Sequence, residues 1–161
     1  MSHEIEVEVL WDDSVQSTRQ RWGIREEILV RAARTAAQQR GFRHGQLGVR
    51  ITDDPTIHQI NVQHLHHDYP TDVISFPYQR GGPHLEGELV ASLDTAASNT
   101  SGDAWTTADE LTLYVIHGVL HIAGMEDHDP VHRRAMRAAE KRVLSALGID
   151  ARRAGEEYAG E

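Results

Sequence analysis

The sequence contains no cysteine. This absence excludes disulfide frameworks, thiol nucleophiles and cysteine-ligated zinc fingers, so a metal site in this chain would use only nitrogen and oxygen donors. Long apolar runs are also missing, and the N-terminal run Met-Ser-His-Glu-Ile-Glu-Val-Glu-Val is acidic and alternating where a secretion signal is basic and then continuously apolar. We therefore expect a cytoplasmic protein that does not act on membranes.

Two signatures of common enzyme classes are absent as well. No glycine-rich phosphate loop follows a predicted strand, which argues against a nucleotide-binding fold. No G-x-S-x-G elbow is present, so a serine hydrolase is not supported. Internal repeats and low-complexity linkers are also lacking, and the 161 residues suit one compact domain. We expect a single domain over residues 1–150 and a polar tail over residues 151–161.

The chain has fewer basic residues than acidic residues. The chain has 16 Lys and Arg against 25 Asp and Glu, a formal net charge of -9, and this balance argues against indiscriminate binding to a nucleic-acid backbone. DNA is therefore not an expected partner. A local basic groove stays possible, because the arginines cluster between Arg19 and Arg43 and between Arg133 and Arg153.

The most informative pattern that is present is a pair of histidines, His117 and His121, four residues apart. On a helix, which turns once per about 3.6 residues, both side chains project from one face. Two imidazoles on adjacent turns can hold two corners of a tetrahedral metal, and a loop ligand after Gly124 can supply a third, which leaves one position for water. This pattern indicates a catalytic metal site; the alternative is a pair of hydrogen-bonded core histidines.

The third ligand has two candidates in the sequence. Zinc peptidases with the extended motif H-E-x-x-H-x-x-G-x-x-H place it ten residues after the first histidine, where this chain has Asp127. His128 is the alternative, one residue out of register, and we favour Asp127. The position of the peptidase glutamate holds Gly118, which disfavours a peptidase. This glycine either makes room for a large substrate or permits close helix packing.

Apolar periodicity predicts four strands, and these cover residues 5–9, 47–51, 72–77 and 87–93. We expect Pro77 to end the third strand and the turn Gly81-Gly82-Pro83 to pair it with the fourth. A polar loop is expected after the first strand. Residues 96–102 are either the start of a helix or a surface loop.

Helices are predicted over residues 25–40, from Asp54 onward with Asp54 as cap, and from Asp129 to about residue 147. Between the last two lies a buried central helix, which begins with a Thr107/Glu110 capping box and ends at Gly124. The fold class is therefore α+β, a small mixed four-stranded sheet covered by about five helices. The central helix carries the metal-binding histidines.

Two segments resemble one known family. The stretch His117-Gly-Val-Leu-His121-Ile-Ala-Gly124 is similar to the H-G-x-L-H-L-x-G signature of the YbeY family of metal-dependent endoribonucleases. The stretch Pro70-Thr-Asp-Val-Ile-Ser-Phe-Pro77 is similar to the family's P-T-D-V-L-S-F-P segment, and Gly87-Glu-Leu89 resembles a third element. The likeness covers roughly residues 54–147.

The resemblance implies a zinc-dependent, single-strand-directed endoribonuclease that helps to mature the 3′ end of small-subunit ribosomal RNA and takes part in ribosome quality control. Its cofactor would be one Zn²⁺ on His117, His121 and Asp127, and its partners single-stranded RNA, ribosomal RNA and the small ribosomal subunit. Two other functions stay open: a zinc metallopeptidase-like hydrolase, and a non-catalytic ribosome-assembly module whose metal is structural.

The chain departs from the family pattern in two places. The family's third ligand is commonly a histidine, and here Asp127 takes that position with His128 behind it. The family's loop before P-T-D usually carries an arginine that assists RNA contact or catalysis, and here that position is Leu65. Three cations are candidates for the missing charge: Arg80, His66 and His67. A general base is not identified; the nearby candidates are Glu126, His128 and Asp129, the last of which is more simply a helix cap.

Overall fold

A computed structural model describes residues 4–65, 72–100 and 104–154. His66, His67, the first two residues of the P-T-D segment and residues 155–161 of the predicted tail lie outside this part of the chain. Four strands are present: β1 (Ile5–Trp11), β2 (His44–Thr52), β3 (Val73–Gly81) and β4 (His84–Ser92). The described residues form six α-helices: α1 (Gln16–Trp22), α2 (Glu26–Gln39), α3 (Asp54–Leu65), α4 (Leu93–Ser98), α5 (Thr107–Ile122) and α6 (Pro130–Ala146). Short 3-10 turns cover Asp13–Val15 and Ala151–Ala154.

The strands form one mixed sheet in the order β1-β2-β4-β3. β1 is parallel to β2 and β2 to β4, whereas β3 runs antiparallel to β4. The α+β prediction and the pairing of the last two strands are therefore confirmed. The prediction that Pro77 ends its strand is wrong, because β3 continues to Gly81. β3 is an edge strand with a register shift between Pro77 and Gln79, and an edge or a bulge is where a strand tolerates the missing N–H of proline.

The predicted capping box of α5 is one residue out of register. Thr106 is the N-cap; its hydroxyl accepts the Asp109 backbone N–H at 3.1 Å, and the Asp109 carboxylate accepts the Thr106 N–H at 3.1 Å. Thr107 is buried inside the helix, and Glu110 instead accepts a hydrogen bond from the Trp105 indole at 2.8 Å. Thr106 and Thr107 each have an acidic residue three positions later, so the sequence fits either one as the N-cap. Because Thr107 is buried in the helix, Thr106 is the cap.

The cap of α3 is also shifted by one residue. Asp53 accepts the Thr56 backbone N–H at 2.7 Å, and Asp54 lies inside the helix. The Asp54 carboxylate instead accepts the hydroxyls of Ser92 and Thr95 at 2.5 and 2.6 Å, which ties α3 to the start of α4. The predicted loop after β1 is partly wrong, since it contains α1. That helix buries none of its seven residues, so it has no apolar stripe to predict it by.

The core lies between one face of the sheet and the helices α2 and α5, and α6 packs against these two helices. α5 contacts α2, α4, α6, β3 and β4, and it is buried on nearly every side, which confirms the predicted central helix. α2 presents a face of small side chains to this core, which allows close approach of the helices; these are Ala32, Ala33, Ala36 and Ala37. Within the described residues, no helix has both the length and the apolar character needed to cross a bilayer.

The opposite face of the sheet is covered at one end by α3. Ile57 packs there against Ile74 and Val90, with Phe76 alongside. Because side chains alternate along a strand, Ser75 points to the other face, where its hydroxyl donates to the Gly118 carbonyl of α5 at 2.9 Å. α3 and α5 therefore lie on opposite faces of the sheet.

The end of β1 is fixed by an ion pair whose effect depends on pH. Asp12 accepts two hydrogen bonds from the Arg50 guanidinium, at 3.0 and 2.9 Å, and one from the Thr52 hydroxyl. The Arg50 hydrogen bonds are the main reason that the pKa of Asp12 is lowered. The unfolded carboxyl has a pKa of about 3.9, so the stabilisation is complete above that value and is lost as the pH falls through the lower folded pKa.

We expect Asp12→Asn to reduce the free energy of unfolding by about 1 kcal/mol at pH 7, the upper range for a solvent-accessible ion pair. The difference from the parent protein should shrink as urea titrations are moved from pH 7 towards pH 2. A difference that stays constant over this range would show that the Asp12 charge does not contribute.

Candidate metal centre

The last two turns of α5 bring the two histidines of the predicted site together. The Nε2 atoms of His117 and His121 lie 3.0 Å apart, and their rings are 23% and 29% exposed. Gly124 then adopts a left-handed conformation, with φ +103°, that ends the helix and redirects the chain. The following loop brings Asp127 back to the pair. Its Oδ2 lies 3.4 Å from His117 Nε2 and its Oδ1 lies 3.5 Å from His121 Nε2.

These three side chains fit a single zinc-type ion. Two imidazole nitrogens and a carboxylate oxygen are an accepted zinc donor set, and donors about 2.0–2.2 Å from a tetrahedral ion lie about 3.3–3.6 Å from one another. The two nitrogens lie 3.0 Å apart, and the two oxygens of the Asp127 carboxylate lie 3.4 Å from His117 Nε2 and 3.5 Å from His121 Nε2, distances close to that spacing. The donor atoms can therefore converge on one ion with little side-chain movement.

The structure does not bring His128 into this group. Its ring is 66% exposed, and its Nε2 lies 3.5 Å from Asp129 Oδ2 instead. His128 therefore belongs to a separate cluster with Asp129 and His132. Of the two candidate third ligands, Asp127 is the one that lies beside His117 and His121.

Glu140 of α6 is a site residue that the sequence did not indicate. Its side chain is 1% exposed, and its Oε2 lies 2.6 Å from His117 Nδ1. A proton on Nδ1 that is donated to Glu140 leaves Nε2 of His117 free as a ligand, an arrangement typical of metal-binding histidines. One feature of the sequence could have indicated Glu140: it is an acidic residue on the apolar face of α6, between the buried Met136 and Val143.

The environment shifts the pKa values of the two histidines in opposite directions. For His117, burial is the largest single effect and favours the neutral ring, but the hydrogen bond and charge of Glu140, with the charge of Asp127, outweigh it and raise the pKa. For His121, burial and the proximity of His117 lower the pKa. His121 is therefore neutral at physiological pH, which is the form that binds a metal.

The site opens into a cavity of about 610 Å³ between β3 and the loop after α5. Arg80 lines this cavity, with its guanidinium directly over Gly124, where an added Cβ would lie 2.3 Å from Arg80 Nη1. Within the described ranges, Arg80 makes no ion pair, so its charge faces the cavity. Arg80, His66 and His67 were the candidates to replace the arginine that the family usually carries. Of these, Arg80 is the one within the described residues, and it lines the cavity at the donor cluster.

A second cavity of about 560 Å³ meets the first at His117, since both are lined by Asp72, His117 and Asp127. Its far side carries Trp105, Asn99, Tyr114 and Arg137. Burial raises the pKa of Tyr114, so its hydroxyl stays protonated, and it accepts a hydrogen bond from the Asn99 amide at 3.1 Å. The second cavity therefore extends the site beyond His117 and Asp127.

A protein-family model, Endoribonuclease YbeY, matches residues 11–148, a range that contains both cavities and all three donor residues. The chain belongs to the Endoribonuclease YbeY family. This confirms the predicted family, which was based on residues 70–77 and 117–124.

Relatives with the same name agree with the family model. The Endoribonuclease YbeY of Rhodopirellula baltica is 52% identical over 124 residues, which are 76% of this chain and 64% of the relative. That of Phocaeicola vulgatus is 38% identical over 109 residues, 68% of this chain and 78% of the relative. That of Chlorobium luteolum is 38% identical over 120 residues, 74% of this chain and 87% of the relative. The match thus spans less than two thirds of the Rhodopirellula protein's length.

The fold also resembles a solved structure. TM1509 from Thermotoga maritima superposes with a TM-score of 0.54 at 20% sequence identity, and the match covers 88% of this chain and 91% of TM1509. At this identity the comparison supports the fold alone, and it agrees with the α+β arrangement described above.

Gly118, the family glycine between the two histidines, is explained by packing. It is buried against the sheet, where an added Cβ would lie 2.9 Å from Leu89 Cδ2 and 3.1 Å from Val73 Cγ2. A glutamate at this position would have to enter the core, so the peptidase general base has no equivalent here. Of the two explanations raised by the sequence, close packing of α5 on the sheet is the one that these contacts support.

The three candidate general bases occupy different places. Glu126 lines the first cavity, together with Asp72, which the sequence had indicated only as part of the P-T-D segment. Asp129 is the N-cap of α6, as expected, and accepts the His132 backbone N–H at 2.9 Å. His128 faces Asp129, away from the donor cluster. Besides Asp127, the carboxylates of Glu126 and Asp72 therefore line this cavity. The side chain of Leu65 lies outside the described residues.

Proposed function

We propose that this protein is a zinc-dependent endoribonuclease that cuts single-stranded RNA, with His117, His121 and Asp127 holding one Zn²⁺. The observation that carries the proposal is the convergence of these three donors, at the spacing of one tetrahedral ion, in an open cavity of a chain from an endoribonuclease family. When bound, zinc acts as a Lewis acid on a phosphate oxygen and lowers the pKa of its water to about 7.

The protein's own groups have separable roles in this proposal. Glu140 holds the Nδ1 proton of His117 and thereby fixes the ring in the orientation that presents Nε2 to the cavity. Arg80 binds a non-bridging phosphate oxygen, for which the planar guanidinium is well suited. Glu126 or Asp72 accepts the proton of the attacking group, which is either water or the neighbouring 2′-hydroxyl.

The cellular role that we propose is 3′-end maturation of small-subunit ribosomal RNA and ribosome quality control in the cytoplasm. This part of the proposal is supported by the resemblance to the family. The net charge of -9 means that RNA must be attracted locally. Arg80 lines the first cavity and provides positive charge beside the donor cluster, whereas Arg137, which lines the second cavity, is paired with Glu140 at 3.6 Å.

The experiment combines metal analysis with cleavage of matched RNA substrates. Purified protein should carry about one tightly held zinc per chain and cut an unstructured RNA but not the same strand in a duplex. A chelator should abolish cutting, and added zinc should restore it. Turnover of a peptide library without RNA cleavage would instead indicate a metallopeptidase. Unfolding on metal removal, with no nuclease activity, would indicate an assembly module with a structural metal.

Arg80→Ala is expected to lower cleavage by about tenfold and leave zinc content unchanged. This effect is smaller than the 10²–10³-fold typical of a preorganised donor, because Arg80 is exposed to solvent. Arg80→Lys should recover part of the activity, since it keeps the charge but not the planar fork. Equal activity of the alanine variant and the parent protein, at the same zinc content, would remove Arg80 from the site.

A further inference from the structure

A second group of potential metal ligands lies at the start of α6. The outer cluster consists of His128, Asp129 and His132. Asp129 Oδ1 accepts the His132 backbone N–H at 2.9 Å, which anchors the carboxylate, and Asp129 Oδ2 faces both histidine rings. It contacts His132 Nδ1 and lies 3.5 Å from His128 Nε2. The three donor atoms all lie within 4.8 Å of one another.

The orientation of His128 suits a ligand. Its Nδ1 lies 3.2 Å from Glu126 Oε2. A proton on Nδ1 that is donated to Glu126 leaves the lone pair of Nε2 facing Asp129. Glu126 therefore accepts a hydrogen bond from His128 in the same way that Glu140 accepts one from His117. This second carboxylate favours the tautomer with a proton on Nδ1, which is the one that a metal ligand at Nε2 needs.

The two rings are arranged to face one carboxylate together. His128 and His132 stack with ring centroids 5.2 Å apart and planes 24° from parallel. Stacked in this way, both rings direct a nitrogen towards the same carboxylate oxygen, Asp129 Oδ2. The positive end of the α6 dipole opposes a cation here, but Asp129 and Glu126 place two full negative charges beside the same spot.

We propose that the outer cluster is a second binding site for a divalent transition-metal ion of the zinc, cobalt and nickel class. The site goes beyond the proposed function, because none of its three ligands is shared with the inner donor cluster. Two imidazoles and one carboxylate favour such ions over magnesium or calcium, which prefer oxygen donors. The rings of His128 and His132 are 66% and 53% exposed, so the ion exchanges readily with solvent.

Occupancy of this site has a structural consequence. An ion on His128, Asp129 and His132 links the loop after α5 to the first turn of α6. That loop also carries Asp127, the loop ligand of the inner cluster. The outer ion therefore restrains Asp127 from the C-terminal side, as Gly124 does from the N-terminal side.

The test is a zinc titration of the full chain against a competing chromophoric chelator. We expect the parent protein to bind two equivalents, one tightly and one more weakly. Asp129→Asn, which keeps the helix cap, and His132→Ala should each bind one. His121→Ala should lose the tight equivalent instead, and the His121→Ala/His132→Ala double variant should lose both.

The matched control is His64→Ala. His64 is exposed and packs edge-on against Phe76, on the sheet face opposite to α5, and this variant should bind two equivalents. A parent protein that binds one equivalent overturns the proposal. Two equivalents retained by both Asp129→Asn and His132→Ala overturn it as well, because the second ion then lies elsewhere. In His121→Ala, the weaker equivalent should shift the ring resonances of His128 and His132, and shifts confined to other histidines contradict the assignment.

Discussion

His121→Ala is expected to remove the tightly held zinc and to lower RNA cleavage by more than the 10- to 100-fold loss that is typical when a group behind a metal ligand is replaced. The substitution takes away one of three donors, and the remaining pair, His117 and Asp127, does not retain a zinc ion tightly. Metal content and cleavage of an unstructured RNA should fall together.

The same variant should stay folded. The His121 ring is 29% exposed at the cavity, so its removal leaves no sealed void. α5 is held by apolar contacts on its other sides and by its capping box, neither of which involves His121. The far-ultraviolet circular dichroism spectrum and the melting temperature should therefore remain close to those of the metal-free parent protein.

His64→Ala provides the matched control, since it removes an imidazole from the sheet face opposite to α5. It should keep both the zinc and the activity. Full cleavage by His121→Ala at normal zinc content would refute the inner metal site. Loss of folding in His121→Ala, but not in His64→Ala, would favour a structural metal and the assembly-module function.

Glu140→Gln is expected to lower zinc affinity by about 10- to 100-fold while the fold is preserved. The neutral amide has nearly the shape of the carboxylate, but it no longer stabilises the Nδ1 proton of His117 with a negative charge. Glu140→Ala should also destabilise the protein by about 1–3 kcal/mol, because the part-buried Nδ1 of His117 loses its partner. Chelator competition and urea unfolding measure the two effects separately.

Glu6→Gln is a suitable control for this pair, as Glu6 is an exposed residue of β1 with the same chemical change. It should leave zinc affinity and stability unaltered. Glu140 acts through His117, so saturating zinc should recover most of the activity of Glu140→Gln. If excess zinc does not restore cleavage, Glu140 takes part in a later step, and a purely positioning role is wrong.

The helix that carries the histidines was predictable because its signals are local. Apolar side chains surround His117 and His121 from Leu111 onward, and Gly124 follows as a stop, so α5 and the turn after it follow from helix periodicity and backbone preference. The ten-residue spacing then indicated Asp127, which the structure brings to within 3.5 Å of both histidines. These predictions depend on residues that are close together in the sequence.

The errors arose where local signals were ambiguous or absent. Thr106 and Thr107 are equally good caps in sequence, and only the burial of Thr107 separates them. Pro77 ends a strand in most settings, but it lies in an edge strand here. α1 buries no side chain, so no periodic pattern marked it.

The sequence by itself determined the histidine pair, the turn that follows it and the family, because helix period and turn chemistry act between near neighbours. Tertiary structure alone decided which groups surround that pair. Glu140 reaches His117 across 23 positions of chain, from a different helix. Arg80 lies over Gly124 because β3 packs beside α5. Such partners are set by how helices and strands pack, and the free energy of that packing is distributed over the whole core.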